Sequence, residues 1–463
     1  MIEQTPAPVA KPRGRGCCIT CGVVLIACLI AATIGTWYLA RWLETSGTAD
    51  KMVAESDGTP ALLDTPVGMM RSVSEKWSLF TGLEVSPDGR LAVAFAMPRF
   101  GMTSVLRNPP PSSLNPVHNQ RNAKAWVEKN LSTRIAVFDL ATGLERELNP
   151  DFGMPAMVTG TPVLSPDNRQ VAVALGRSFG DQEGRPGQSD LGLWTIELPT
   201  GRATKIANAG TPQDWSPDGT KLAYLLHDSG KSRDQVWIAT VGGTPRMVLD
   251  MALQWVRWSD DGKSLFGKLS GGGPLGGPAP GSIVQLNLAE GALRKTPITI
   301  ADGPLPGKLG PESFVWIDGG LDTRTGGRGY TGTSRLAVIN AQTGKGVWVG
   351  KAFPGDAAFV GSALGGKYAV VTCRQAVWAA SLADGKWRLL FAGLKGKEGG
   401  ASGGLHEARI RRNTHTLLLT TSPDTSDVGR AFLGSGFGET LWRLDIDEAK
   451  LAAQPAKDAP EGR

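Results

Sequence analysis

The chain has 463 residues, enough for two or three domains or for one large β domain. With 61 glycines, Tyr at only 4 and few helix-forming charged runs, the composition favours many short strands joined by turns. A net charge of +6, with no dense Lys/Arg block in the body of the chain, argues against a nucleic-acid partner.

Residues 1–17 read as a cytoplasmic tail and 18–40 as a transmembrane anchor. The run "CITCGVVLIACLIAATIGTWYL", Cys18 to Leu39, carries no charge and is long enough for a helix to cross a bilayer of about 30 Å. Lys11, Arg13 and Arg15 precede it, and Trp37, Tyr38 and Trp42 suit the far interface. The positive flank places the N-terminus in the cytoplasm and all that follows outside it: a single-pass protein of the cell membrane, periplasmic in a Gram-negative cell. "LIAC", Leu25 to Cys28, resembles a bacterial lipobox, but the apolar run continues beyond Cys28 and no Ala-x-Ala site follows, so an uncleaved anchor is expected. Four of the five cysteines, Cys17, Cys18, Cys21 and Cys28, lie in or beside this span. Cys373 alone remains outside, so no internal disulfide is expected there. Ala27, Ala31 and Gly35 form a small-xxx-small run of the kind that packs helices together.

Residues 41–74 read as a linker, part of which could add an outer strand. From there the chain repeats itself. "EVSPDGRLAVAFA" starts at Glu84, "VLSPDNRQVAVAL" at Val163, "DWSPDGTKLAYLL" at Asp214 and "RWSDDGKSLFGKL" at Arg257, with a weaker echo, "FVWIDGG", from Phe314. In the third copy Pro217 presets φ, Asp218 hydrogen-bonds its own loop and Gly219 takes φ > 0, after which the apolar run is a buried strand. A second motif shares one register seven times: residues 134–143, 191–201, 235–243, 282–291, 335–344, 376–385 and 440–449. Trp194, Trp237, Trp378 and Trp442 recur at one position of it. Each copy is a strand, a tight turn and a return strand. With the Ser-Pro-Asp-Gly hairpin upstream, each repeat supplies four antiparallel strands. The expected fold is all-β, a β-propeller of seven four-stranded blades over 75–455, with a disordered tail over 456–463. Six or eight blades remain open, because "LDTRTGGRGYTGT" makes a poor second strand in the fifth repeat.

"WSPDGTKLAY" followed by "VWIATVGGTPRMV" resembles the TolB-like propeller repeat, also called a WD-like repeat. The resemblance covers most of 75–455, strongly in the first four repeats, and it implies the fold while leaving function open. The chain departs from TolB itself. It carries an anchor, and about 35 linker residues are fewer than the amino-terminal α/β domain of TolB needs, so the partners of TolB do not carry over.

No chemistry stands out. "GASGG", Gly400 to Gly404, has the text of a nucleophile elbow with His406 nearby, yet no strand precedes Ser402 and no helix follows. "VINAQTGKGVW", Val338 to Trp348, resembles the docking motif of quinoprotein propellers, with Asn340 where Asp is usual, in a single copy. His118, His227, His406 and His415 share no ligand spacing, and the loop acids "DTSD" at Asp424 and "DIDE" at Asp445 read as solvated, so no metal, cofactor or catalytic residue is assigned. The expected function is a non-catalytic scaffold that binds a protein or small ligand. The rival is an enzyme using the central funnel, of lyase, lactonase or quinoprotein type. Long segments fall at second connections: Met97–Thr133, Gly176–Asp190, Ser270–Gly281 and Thr421–Gly438. The longest mixes a stiff proline run with basic and aromatic residues, and Arg99, Phe100, Arg107, His118, Arg121 and Trp126 are its candidate contact residues.

Overall fold

The computed structural model describes residues 62–460, except 75–76, 99–133, 153–156, 177–191, 229–232, 252, 270, 273–277, 280, 301–306, 309–312, 319–332, 341–342, 344, 355–356, 374–375, 393–404, 412–413 and 422–439. The expected anchor lies outside these residues; among them, no helix is long and apolar enough to cross a membrane.

Seven antiparallel sheets follow one another along the chain. The first six each use four strands in sequence. In blade one these are Trp77–Val85, Leu91–Pro98, Arg134–Asp139 and Glu145–Leu148. Blades two to six run from Met157 to Ala207, Thr211 to Leu249, Leu253 to Ile300, Gly307 to Pro354 and Ala358 to Phe391. Blade four carries an extra two-stranded pairing, Gly271–Gly272 with Pro278–Ala279, inside its second connection. The seven repeats sharing one register supply the seven third strands, which is why their spacing gives the blade number.

The seventh blade is built differently. Its first three strands are Leu405–Ile410, Thr416–Thr421 and Thr440–Asp445, and no return strand follows. Gly68–Ser74 from the other end of the chain pairs with Thr440–Asp445, and Leu62–Thr65 adds a fifth strand outside it. Part of the segment read as linker thus closes the ring. Gly68 has φ +152, and a Cβ there would lie 2.5 Å from the carbonyl oxygen of Asp445, so close pairing at this seam needs glycine. Where the repeat led one to expect a hairpin, the Asp447 side chain accepts hydrogen bonds from the amides of Ala449 and Lys450 and starts a short helix, α1 (Glu448–Ala453).

The chain after α1 is held rather than frayed. Lys457 exchanges two backbone hydrogen bonds with Trp387, and the Gln454 amide donates to the carbonyl of Leu389 and accepts from its N–H. Asp458 pairs with Lys351 of blade five and Lys386 of blade six. Residues 454–458 therefore strap the outer edge of blade six, where a disordered tail from 456 was expected.

Between each pair of adjacent blades lies one apolar cluster. Blades one and two share Phe95, Val137, Leu164 and Val173; blades four and five share Trp255, Phe266, Phe314 and Ile339. Blades six and seven share Val370, Leu390, Leu417 and Trp442, joined there by Val67 and Met70 of the closing segment. With both faces of the middle strands covered, the strands read as continuous apolar runs such as "LAVAFA", Leu91 to Ala96.

One expectation needs correcting. The second strand of blade five is Ser313–Asp318, so "FVWID", Phe314 to Asp318, is strand rather than turn; most of "LDTRTGGRGYTGT" falls outside the described residues. The recurring tryptophan position is also not uniformly interior. Trp378 and Trp442 are buried, whereas Trp194 and Trp237 are half-buried. Trp237 lies against Tyr224 with ring centroids 6.4 Å apart and donates to Gln235. Trp378→Ala should cost about 3–5 kcal/mol in a denaturant melt. Trp237→Ala should cost only about 1–2 kcal/mol. Equal losses would contradict this difference in burial.

Candidate binding face

In an antiparallel blade, the first and third connections share one face of the ring; the second connection and the crossing to the next blade share the other. The first face is trimmed. Ser86, Ser165, Ser216 and Ser259 are buried, and each hydroxyl donates to an aspartate two residues on, Asp88, Asp167, Asp218 and Asp261, at 2.5–2.7 Å. The same hydroxyl accepts the amide five residues on, and the aspartate accepts an amide of the turn, as in Leu91 and Arg90 of the first copy. This bonding draws down the carboxyls of Asp88, Asp218 and Asp261. The Ser216 hydroxyl, then the Thr220 amide and hydroxyl, bring Asp218 to about 2. Asp261 is lowered chiefly by Ser259. In Asp88 burial pushes upward, and the bonds from Ser86 and Arg90 outweigh it.

Because the folded carboxyl sits below its ordinary value of 3.8, its contribution to stability is full above about pH 4 and is lost as pH falls through about 2. Asp218→Asn keeps an acceptor oxygen but cannot bind the proton, so it should flatten that part of an acid-unfolding profile. An unchanged slope between pH 4 and pH 2 would show that the turn does not titrate as described.

The tryptophan before this turn ties blades together. Trp215 Nε1 donates to the carbonyl of Val163 at 2.9 Å, and Trp258 Nε1 to that of Asp214 at 3.2 Å. In both cases the acceptor lies two residues ahead of the turn serine of the preceding blade.

The channel wall is stitched in the same manner. Within Leu405–Ile410 and just beyond it, Glu407, Arg409 and Arg411 alternate along one face. Arg409 Nε donates to Leu83 O at 3.1 Å and Arg411 Nε to Val85 O at 2.8 Å, while Glu407 accepts from Leu83 N at 3.2 Å. Arg411 also pairs with Glu84, and Arg409 with Glu407. Enclosure by the ring pulls the Arg411 guanidinium down to about 10, still charged at neutral pH. Opposite, Asp214 accepts the amide of Trp258 at 2.9 Å and faces Arg257 at 4.0 Å. The channel carboxylates Glu84, Asp214 and Glu407 are thus engaged in holding neighbouring blades together. The alternation in "HEARIRR" was the available sequence signal for this set.

On the second face, blade three has a short connection, Asp228 to Arg233, and a described polar cluster. His227 Nδ1 lies 2.8 Å from Asp234 Oδ1, and Arg233 pairs with Asp250 at 2.7 Å. Gln235 Nε2 donates to both Asp228 and Asp250 at 3.1 Å. Among the described residues no three His, Cys, Asp or Glu side chains come together to hold a metal ion.

All four long segments join a second strand to a third. Pro98 to Arg134, Gly176 to Gly192, Leu269 to Gly281 and Thr421 to Thr440 are the strand ends they connect. Arg99, Phe100, Arg107, His118, Arg121 and Trp126 lie outside the described residues, as does Ser402. His406 falls within the first strand of blade seven, so a strand, not a helix, follows "GASGG". Asn340 and Lys345 bound the third connection of blade five, with Asn340 Oδ1 accepting the Thr343 amide at 2.8 Å.

No protein-family model matches the sequence, and no curated protein does. Solved structures do share its shape. An oligogalacturonate lyase in complex with manganese aligns over 85% of this chain and 97% of its own at 11% identity and a TM-score of 0.52. TolB from Acinetobacter baumannii aligns at 12% identity and a TM-score of 0.37, and the chain spans only 62% of that protein. TolB from Agrobacterium tumefaciens gives 12% identity, 60% of this chain, 82% of that one and a TM-score of 0.40. TolB-like propellers are therefore among the structural neighbours of this chain, and at 11% identity the likeness to the lyase extends to the fold alone.

Proposed function

We propose that the chain is a membrane-tethered, extracytoplasmic propeller that serves as a non-catalytic scaffold for a protein or small-ligand partner. One observation carries the reading: the second connections of five blades are long, while the opposite face is reduced to hydrogen-bonded tight turns. A rigid ring with its variable length gathered on one face is the arrangement by which loops present a binding surface. The engagement of the channel carboxylates with arginines and amides of neighbouring blades supports it further. Anchoring rests on the uncharged run Cys18–Leu39 and its basic flank.

Deleting Arg99–Asn130 should leave the melting temperature of the ring close to that of the full chain and abolish binding of whatever partner co-purifies with it. If binding survives the deletion but is lost on altering the Ser-Pro-Asp-Gly turns, the working face is the other one. The full chain should also stay in the membrane fraction after a carbonate wash. A soluble form starting near Cys28 or Ser46 would remove the anchor from the proposal. The propeller-enzyme reading, of lyase, lactonase or quinoprotein type, is favoured by the half-exposed His227–Asp234 pair on the same face. Substrate turnover lost on His227→Gln would replace the scaffold reading.

A further inference from the structure

We propose that, in the tethered chain, the trimmed face of the ring lies on an anionic bilayer surface, an inference that rests on the anchor read over Cys18–Leu39. The described chain starts at Leu62, on the outermost strand of blade seven, and 22 residues separate it from Leu39. Even fully extended these span no more than about 75 Å, so the ring is confined near the bilayer and weak contacts suffice to orient it. From Leu62 the strand runs to the turn Thr65–Gly68, where the Val67 carbonyl accepts the amide of Asp447. The chain thus enters the ring at the trimmed side of blade seven.

Four large apolar side chains occupy one station of the ring. Leu144 is 70% exposed, Val347 66%, Met69 48% and Met247 46%. Leu144 ends the third connection of blade one, just before Glu145–Leu148. Met247, Val347 and Met69 are each the second residue of Arg246–Leu249, Gly346–Pro354 and Gly68–Ser74. All four lie where a fourth strand leaves the trimmed face, in blades one, three, five and seven. Isolated exposed apolar residues are ordinary on a protein surface; four at equivalent places call for a cause. Spread round the circumference, they share no groove. A folded partner with one docking patch would meet one or two of them, whereas a flat surface meets all four together.

Charge fits the same surface. Arg246 and Lys345 adjoin Met247 and Val347, and Arg90, Arg169, Lys221 and Lys263 follow the first turns of blades one to four. All six are exposed and make no ion pair among the described residues. The aspartates of the first turns are short, and their oxygens accept from serine hydroxyls and turn amides. Long basic side chains beside apolar ones suit the headgroup layer, where the cation meets phosphate and the apolar group enters the acyl boundary. Docked in this way, the ring turns its second connections away from the membrane.

The full chain is reconstituted in vesicles of phosphatidylcholine and phosphatidylglycerol, with benzoylphenylalanine replacing Leu144, Met247, Val347 or Asn149 one at a time. Asn149 is exposed just past the other end of Glu145–Leu148, on the second face, and is the control. Lipid adducts on irradiation are expected at the first three positions and about fivefold fewer at Asn149. Arg246→Glu joined to Lys345→Glu should lower them about threefold. Amine labelling of the unaltered chain avoids any substitution: Lys221, Lys263 and Lys345 should react about threefold more slowly once phosphatidylglycerol is added to phosphatidylcholine vesicles. A chain that floats with the vesicles but yields no lipid adducts, equal adducts at Leu144 and Asn149, or adducts to protein in place of lipid overturns the docking and leaves the tether intact. Unchanged labelling does the same. A chain that does not float removes the tether and the docking together.

Discussion

Removing Leu62–Ser74 is expected to abolish the cooperative melt of the propeller. Val67 and Met70 are fully buried in the cluster between blades six and seven, and burial of two such side chains is worth about 3–6 kcal/mol together. The deletion also strips Thr440–Asp445 of its partner along four paired positions, exposing the ladder of a central strand. Each orphaned backbone group that cannot reach water adds a further cost of about 1–3 kcal/mol. Against a total stability of about 5–15 kcal/mol, these losses leave no closed ring. Circular dichroism and dye binding on heating should show loss of the transition and exposure of apolar surface. Met70→Ala, a milder form of the same injury, should cost about 2–5 kcal/mol and keep the transition. A deletion variant melting within a few degrees of the full chain would mean that three strands suffice for the seventh blade.

Trp258→Ala should be among the most damaging single substitutions. Trp258 is only 1% exposed, wedged between blades three and four against Leu225, Ile238 and Leu265. Its indole reaches the carbonyl of Asp214, and the Asp214 carboxylate accepts its backbone amide. Truncation removes a large buried ring and the indole bond, for about 3–5 kcal/mol. Trp258→Phe isolates the second part: most of the packing stays, the carbonyl of Asp214 loses its indole donor, and the loss should be about 1 kcal/mol beyond the change in volume. Denaturant unfolding of the pair measures both. A loss below about 1 kcal/mol for Trp258→Ala would place the blade contact elsewhere.

Much of this architecture was legible because it is local. A Ser-Pro-Asp-Gly turn or a third-strand hairpin closes within a dozen residues, so its chemistry is written beside itself, and seven copies in one register count the blades. Legibility failed where the determinant is distant. Nothing near Gly68 says that it will face Asp445, and nothing near Gln454 says that its amide will stand in for a strand against Leu389. Blade five hid its second strand because Ser313–Asp318 lacks the preceding turn signature. The burial of the repeated tryptophan depends on what the adjacent blade offers: Trp378 joins the interior shared by blades five and six, whereas Trp237 finds only a flank against Tyr224. For the proposed binding face, the sequence indicated the connections that are long, and the strands give them a common side. The candidate contact residues Arg99 to Trp126 belong to a segment outside the described structure, so their proposed role rests on sequence alone.

The joining of both ends of the chain in one blade also sets a clock. Arg71 pairs with Arg443, roughly 370 residues later, and at about 5–20 residues per second the ribosome needs roughly 20–75 s to supply the second partner after the first. Throughout that interval the closing strand waits unpaired, and the repeats that emerge one after another have no ring to complete. A chain of this design carries its aggregation hazard in its biogenesis rather than in its native state. Slowing translation late in the message, or depleting a holding chaperone, should lower its yield far more than any matched change in the stability of the finished protein.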